Sequence, residues 1–341
     1  MIRFRLGAAA LMALSACRAR DGSADSAAVQ AGTPVAGAGA PADNSPLKPG
    51  EARLAVDGGH IWYRVVGSGT STPAILVHGG PGYASYYMTA LEALGADRPV
   101  VRYDQLGAGK SDRLTGTTRM TIQHFVQELE SLRARLGYEK FHLVGHSWGT
   151  ILGFEYYRAH PERVASLTLA GAVLDVPAYA RRAKDLVATL SDSAQRAIRV
   201  REAEHKYDAP DYQAALGEFY GKYVWRHPNE AELDSTTKTA NEQIYNFMQG
   251  PSEFTITGTI KSYDATPYLK DVHVPVLYVV GEFDEVGPEL VRSFARRTPG
   301  AQVFLVPQSG HLFEWDNPGP ANKAIRDFLR QADEGRRAPP R

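Results

Sequence analysis

Phe141-His142-Leu143-Val144-Gly145-His146-Ser147-Trp148-Gly149 is the stretch on which the reading of this chain turns. An apolar run, Phe141–Val144, leads into a Gly-x-Ser-x-Gly turn, and a helical stretch at about 149–159 follows. A chain that turns sharply from strand to helix leaves the serine hydroxyl exposed at the sheet edge. Glycines flank the serine because side chains there would collide with the turn. The five-residue pattern alone is weak; the strand before it and the helix after it supply the context it requires.

Outward from this turn the same pattern recurs. Ala74–Val77 leads into His78-Gly79-Gly80-Pro81-Gly82, Val100–Tyr103 into Asp104-Gln105-Leu106-Gly107, and Leu167–Ala170 into Gly171. Val276–Val280 leads into Gly281-Glu282-Phe283-Asp284, and Val303–Val306 into Pro307-Gln308-Ser309-Gly310-His311. Helical patterns fall at about 121–136, 288–297 and 319–331. Continuous apolar strands alternating with helices predict an α/β fold, a mostly parallel sheet with helices on both faces. Residues 52–66 alternate around Asp57-Gly58-Gly59, a hairpin signature. Residues 175–264 break the alternation: they are helical in character and lack a clear buried strand. They are expected to form a helical cap over the C-terminal ends of the strands, inserted into a core made of 51–174 and 265–332.

The elbow predicts the α/β-hydrolase fold, in which the acid and base follow the nucleophile in the order Ser, Asp or Glu, His. Asp284 follows one late strand and His311 the next. The expected triad is therefore Ser147, Asp284 and His311, with His311 as general base and Asp284 orienting the imidazole. Asp175, after the preceding strand, is the rival acid. The other histidines, among them His78, His142 and His146, read as structural or surface residues. An oxyanion hole is expected from the backbone N–H groups of Trp148, directly after the nucleophile, and Gly80, in the loop after the third strand. The Asp104–Ser111 loop reads as architectural bracing.

Composition narrows the function. The 341 residues carry 38 Lys plus Arg against 38 Asp plus Glu, so no net basic charge favours a nucleic-acid partner. One cysteine excludes an intrachain disulfide and four-cysteine zinc sites, and H-E-x-x-H is absent. No metal or cofactor is expected. The lone cysteine, Cys17, ends a leader with two arginines and a short apolar run. Leu14-Ser15-Ala16-Cys17 resembles the lipobox of bacterial lipoproteins, which implies lipidation of Cys17, export, and anchoring in the cell envelope, with a lean toward the outer membrane. Residues 18–50, rich in Ala, Gly, Ser, Pro and Asp, read as a disordered tether.

The loop His78-Gly79-Gly80-Pro81-Gly82, then Tyr103-Asp104-Gln105-x-Gly107-x-Gly109-x-Ser111, then Gly145-x-Ser147-Trp148-Gly149 resembles the prolyl iminopeptidase family of serine peptidases. Gly250–Lys261 and Gly281–Val286 are similar to the tricorn protease-interacting aminopeptidase of archaea and its bacterial relatives, although Trp148 stands where the archaeal enzyme has tyrosine. The resemblance covers roughly residues 52–332. It implies release of N-terminal residues from small peptides or aminoacyl amides. It also implies that two glutamates, Glu253 and Glu285, bind the substrate's α-ammonium group, with Tyr245 lining the same pocket. Two other readings stay open on the sequence: an esterase or lactonase with the same triad and no amine clamp, and a noncatalytic binding protein, which would have no use for an intact triad. Nothing in the sequence sets the oligomeric state.

Overall fold

The structure, a computed structural model, describes residues 49–335. Cys17, the leader 1–17 and nearly all of the tether lie outside the described residues. The folded part begins one residue earlier than expected: Gly50 already pairs with Val65 in the opening hairpin of β1 (Gly50–Val56) and β2 (Gly59–Val66). Next come β3 (Ala74–Val77), β4 (Val100–Asp104), α1 (Ile122–Arg135), β5 (Phe141–His146), α2 (Trp148–Ala159) and β6 (Val164–Ala170). Five helices follow: α3 (Val176–Val187), α4 (Asp192–Ala203), α5 (Pro210–Tyr223), α6 (Glu230–Thr239) and α7 (Glu242–Met248). The chain then returns to the sheet with β7 (Val276–Gly281), α8 (Pro288–Arg297), β8 (Gln302–Val306), α9 (Phe313–Asp316) and α10 (Pro318–Asp333).

The strands form one sheet in the order β1-β2-β4-β3-β5-β6-β7-β8. The hairpin and the β2–β4 pair are antiparallel; every later pair is parallel. Every residue of β3, β5 and β7 is buried, which is why these strands read as unbroken apolar runs. At the far edge β8 is only partly covered. The outer helices are amphipathic: α10 buries Ala321, Ile325, Phe328 and Leu329, a single face of the helix.

Strand order places the site. The chain leaves β3 for β4 on one side and then crosses back to β5 on the other. The loops after β3 and β5 therefore diverge at a switch point, where open α/β sheets bind ligands. They can meet there because glycine allows it. A Cβ on Gly149 would lie 2.1 Å from the Val77 carbonyl oxygen, and one on Gly145 would lie 2.3 Å from the Gly149 carbonyl oxygen. Both obstacles are backbone and cannot rotate away.

The helices α3–α7 leave and re-enter the core at one neck. Asp175 and Asp264 form an antiparallel bridge, with Val176 N donating to Tyr263 O and Ala265 N to Leu174 O. The insertion also rests on the two sides of the site. Asn241 N donates to Gly82 O at 2.8 Å, beside the loop after β3. On the other side, His311 N and Leu312 N donate to the carbonyls of Tyr223 and Val224, at 2.9 and 2.7 Å.

Overpacking a tight backbone contact costs about 1–3 kcal/mol, and Gly149→Ala is expected to lower folding stability by at least that much. The denaturant midpoint at unchanged slope reads this directly; a midpoint equal to wild type would mean that α2 can move away from β3 at no cost.

Candidate active site

Ser147 sits between β5 and α2 with φ 54° and ψ −125°, a conformation L-residues rarely adopt. The backbone holds it there: Ser147 N donates to Ala170 O at 2.9 Å, and Thr150 N to Ser147 O at 2.7 Å. Among the described residues no hydrogen bond within the protein takes the N–H of Gly80 or Trp148. Gly79 approaches so closely that a Cβ there would lie 2.9 Å from the Ser147 Cβ. Gly80 has φ 119° and precedes a cis peptide bond to Pro81.

The Asp104–Ser111 loop locks these two segments together. Trp148 Nε1 donates to Gln105 Oε1, and Gln105 Nε2 donates to the His78 carbonyl, each at 2.9 Å. Gln105 N donates to His78 Nε2 at 2.9 Å, so the His78 proton is on Nδ1, directed at Gly79 O at 2.8 Å. The Asp104 carboxylate accepts from Ser85 and from Lys110 N. Gly109, with φ 56°, leaves the room that this carboxylate occupies.

Asp284 and His311 come together from the loops after β7 and β8. His311 Nδ1 donates to Asp284 Oδ1 at 2.8 Å, and the same oxygen accepts from Val286 N at 2.9 Å. Both side chains are buried. Gly171 makes room for the ring; a Cβ there would lie 2.5 Å from His311 Cε1. His311 and Ser147 border one pocket, and His311 Nε2 is buried with no hydrogen-bond partner among the described residues. The rival acid is engaged elsewhere. Asp175 caps α3, accepting from Ala178 N at 2.8 Å.

Three donors surround Glu253. Tyr245 OH donates to its Oε1 at 2.6 Å, and Tyr179 OH and Gln249 Nε2 donate to its Oε2 at 3.0 and 3.2 Å. Glu253 borders the same cavity as Ser147, His311 and Gly80, a space of about 110 Å³. The rest of the wall is mainly apolar and aromatic, with Tyr220, Val224, Trp225 and Leu233 from the inserted helices and Trp315 from α9. Glu285 does not border this space. It is buried, with Oε1 at 3.9 Å from His311 Nε2 and Oε2 unpartnered among the described residues. Tyr179 and Gln249 had no signal in the sequence; both belong to the inserted helical region, whose packing leaves no local motif.

The electrostatics follow from this burial. Desolvation, and then the charge of Glu253, push the Glu285 carboxyl well above the usual carboxylate range. Burial opposes charge on His311 as well. The Asp284 charge and hydrogen bond outweigh it, with Glu285 and Glu253 adding, and lift the imidazole to about 10.

The chain matches the α/β-hydrolase fold family over residues 72–318. A proline iminopeptidase of Heyndrickxia coagulans is 36% identical over 282 residues, 82% of this chain and 98% of that relative. The solved structure of a Mycobacterium smegmatis proline iminopeptidase superposes with a TM-score of 0.76 at 30% identity, over 84% of this chain and 99% of its own. VinJ superposes with a TM-score of 0.80 at 29% identity, over 84% of this chain and 100% of its own. The paired Asp284 and His311, the glycine-built elbow and these likenesses agree, and the chain belongs to the proline iminopeptidase family of α/β-hydrolase enzymes.

Proposed function

We propose that the protein is a serine aminopeptidase that releases the N-terminal residue of small peptides or aminoacyl amides. The observation that carries this reading is the carboxylate of Glu253, held by three donors on the wall of the cavity that also exposes Ser147 and His311. An esterase or lactonase has no need of a fixed carboxylate there. Relatives named proline iminopeptidase support the same reading.

In this mechanism His311 Nε2 takes the Ser147 proton as Oγ bonds to the substrate carbonyl carbon. The N–H groups of Gly80 and Trp148 hold the resulting oxyanion. The tetrahedral intermediate collapses, the C–N bond breaks, and His311 returns the proton to the leaving amine. Water then repeats the sequence on the acyl-enzyme. Glu253 contacts the substrate ammonium, and Glu285, buried behind the wall and pushed toward its neutral form, gains charge only when a cation binds in front of it. A bound ammonium also acts on the base. It favours ionised carboxylates and disfavours a second cation on His311, so it returns the imidazole toward the neutral form that can accept a proton.

Ser147→Ala is expected to abolish turnover with the fold intact. Glu253→Gln is expected to cost about 2–5 kcal/mol in kcat/KM on a free-amine aminoacyl amide, roughly thirty-fold to several-thousand-fold. It should spare a small activated ester that has no amine. N-acetylation of the amide should slow the wild type comparably. A Glu253→Gln variant that leaves free and N-acetyl substrates in their original ratio would sink the aminopeptidase reading in favour of the esterase.

The pH profile provides a second check. Neutral His311 is the active form, so activity falls as pH drops through its pKa. On an amine-free ester, Glu253→Gln removes a charge that raises this pKa, and the acid limb of kcat should move to lower pH. In the wild type the free-amine substrate should show its limb below that of the ester. Coincident limbs in both comparisons would mean that the carboxylates do not act on the base.

We also propose that the protein is exported and held in the bacterial envelope by lipid on Cys17, a reading supported by the leader sequence alone. Stable anchoring takes more than one acyl chain. Mass spectrometry of the natively expressed N-terminus should find a diacylglyceryl-modified Cys17. An unmodified thiol, or a Cys17→Ser variant that remains with the membrane, contradicts it.

A further inference from the structure

His146, the residue before the nucleophile in the elbow, is almost fully buried and makes no direct hydrogen bond to Asp284 or Ser147. Its two ring nitrogens reach different loops. Nε2 lies 3.0 Å from the backbone carbonyl oxygen of His311, and Nδ1 lies 3.0 Å from the Tyr87 hydroxyl. That hydroxyl also receives the N–H of Gly79 at 2.6 Å. The imidazole packs against the His311 ring with centroids 4.6 Å apart.

The directions of these bonds are determined. A carbonyl oxygen can only accept, so the His146 proton is on Nε2. Nδ1 is then an acceptor, and Tyr87 must donate to it. Tyr87 keeps a lone pair for Gly79 N–H. One neutral tautomer satisfies every partner, and a doubly protonated ring would have to reverse the Tyr87 bond, turning the hydroxyl proton away from Nδ1. Burial, and then the nearby His311, hold His146 well below the usual imidazole range, in agreement with that tautomer. The one carboxyl beside Nε2, Glu314 at 3.9 Å, is itself pushed up to about 8 by burial.

We propose that His146 and Tyr87 are positioning residues that set the spacing between the catalytic base and the oxyanion loop. The relay runs from Gly79 N–H through Tyr87 and His146 to His311 O, and so ties the loop after β3 to the loop after β8 across the elbow. Nothing else described here joins those two loops side chain to backbone through the nucleophile's own neighbour. The oxyanion donor and the base act on the two ends of one tetrahedral centre, so their separation governs the reaction step more than ground-state binding. This inference rests on the triad reading above.

The experiment compares kcat and KM for wild type, His146→Leu, His146→Gln and Tyr87→Phe on a free-amine aminoacyl amide, with thermal unfolding of each variant. A misplacement of about 1 Å at a reacting centre can cost on the order of a hundred-fold. His146→Leu is expected to lose at least about ten-fold in kcat, with KM close to wild type. Tyr87→Phe should lose kcat in the same manner. His146→Gln, whose amide N–H can reach the His311 carbonyl, should recover most of the loss. The double variant should be no slower than His146→Leu, because both changes cut one relay. Should His146→Leu fail to fold, the Gln and Tyr87→Phe variants still decide the matter. The proposal is overturned if Tyr87→Phe keeps full kcat, if the losses fall in KM, if Gln is as slow as Leu, or if the double variant multiplies the single losses. An active Ser147→Ala enzyme would overturn the triad reading itself, a result separable from any of these.

Discussion

The contact between the first turn of α2 and the backbone of β3 is the constraint on which the site depends. Gly149 lies where any side chain would strike the Val77 carbonyl, and Gly145 is confined in the same way by Gly149. These two approaches bring the loops after β3 and β5 within reach of each other. They also force the left-handed backbone of Ser147, whose cost the bond to Ala170 O and the start of α2 offset. Were that contact relaxed, Gly79 would move away from Ser147, and the loop that carries Gly80 would lose its seat beside the elbow.

The site is acidic around a base whose pKa is raised. Asp284, Glu285 and Glu314 are all buried, and Glu253 closes the group from the cavity wall. No lysine or arginine borders the cavity that Ser147 and His311 share. Charge and chemistry meet at the imidazole: the carboxylates around it raise its pKa, so under the proposed function a bound cation would act on the base as well as on the wall.

How much of this was legible depended on whether a feature is local in sequence. The strands β3, β5 and β7 announced themselves because burial on both faces demands unbroken apolar runs. The elbow did so because steric exclusion allows only glycine at two nearby positions. Asp284 and Asp175 were harder to separate, since each follows a strand. The difference lies in partners: one carboxylate meets His311, whereas the other is consumed by the first turn of α3. Tyr179 and Gln249 could not be read at all. They reach Glu253 by helix packing within the inserted region, and helical periodicity says which face is buried but not what it meets. His146 looked structural; what the sequence hid is that it sits between two loops brought together only by the crossing of the sheet.

The neck of the inserted region has a consequence for how such proteins diversify. The chain departs after Leu174 and returns at Ala265 through a single antiparallel bridge, so the two ends of the insertion are neighbours in space. The sheet closes at that point whatever lies beyond it, and lengthening the excursion adds only slowly to the entropy of closure. Helices α3–α7 therefore form a cassette that can be remodelled without re-registering a strand, provided its seats on the core are kept, among them the carbonyls of Tyr223 and Val224 under the base loop and Asn241 against Gly82. Selection on what enters the cavity and selection on how it is cut can thus act largely on separate stretches of the gene, coupled where the two stretches are hydrogen-bonded, at those seats and at others such as Gly109 N to Thr239 O and Trp315 to Glu232.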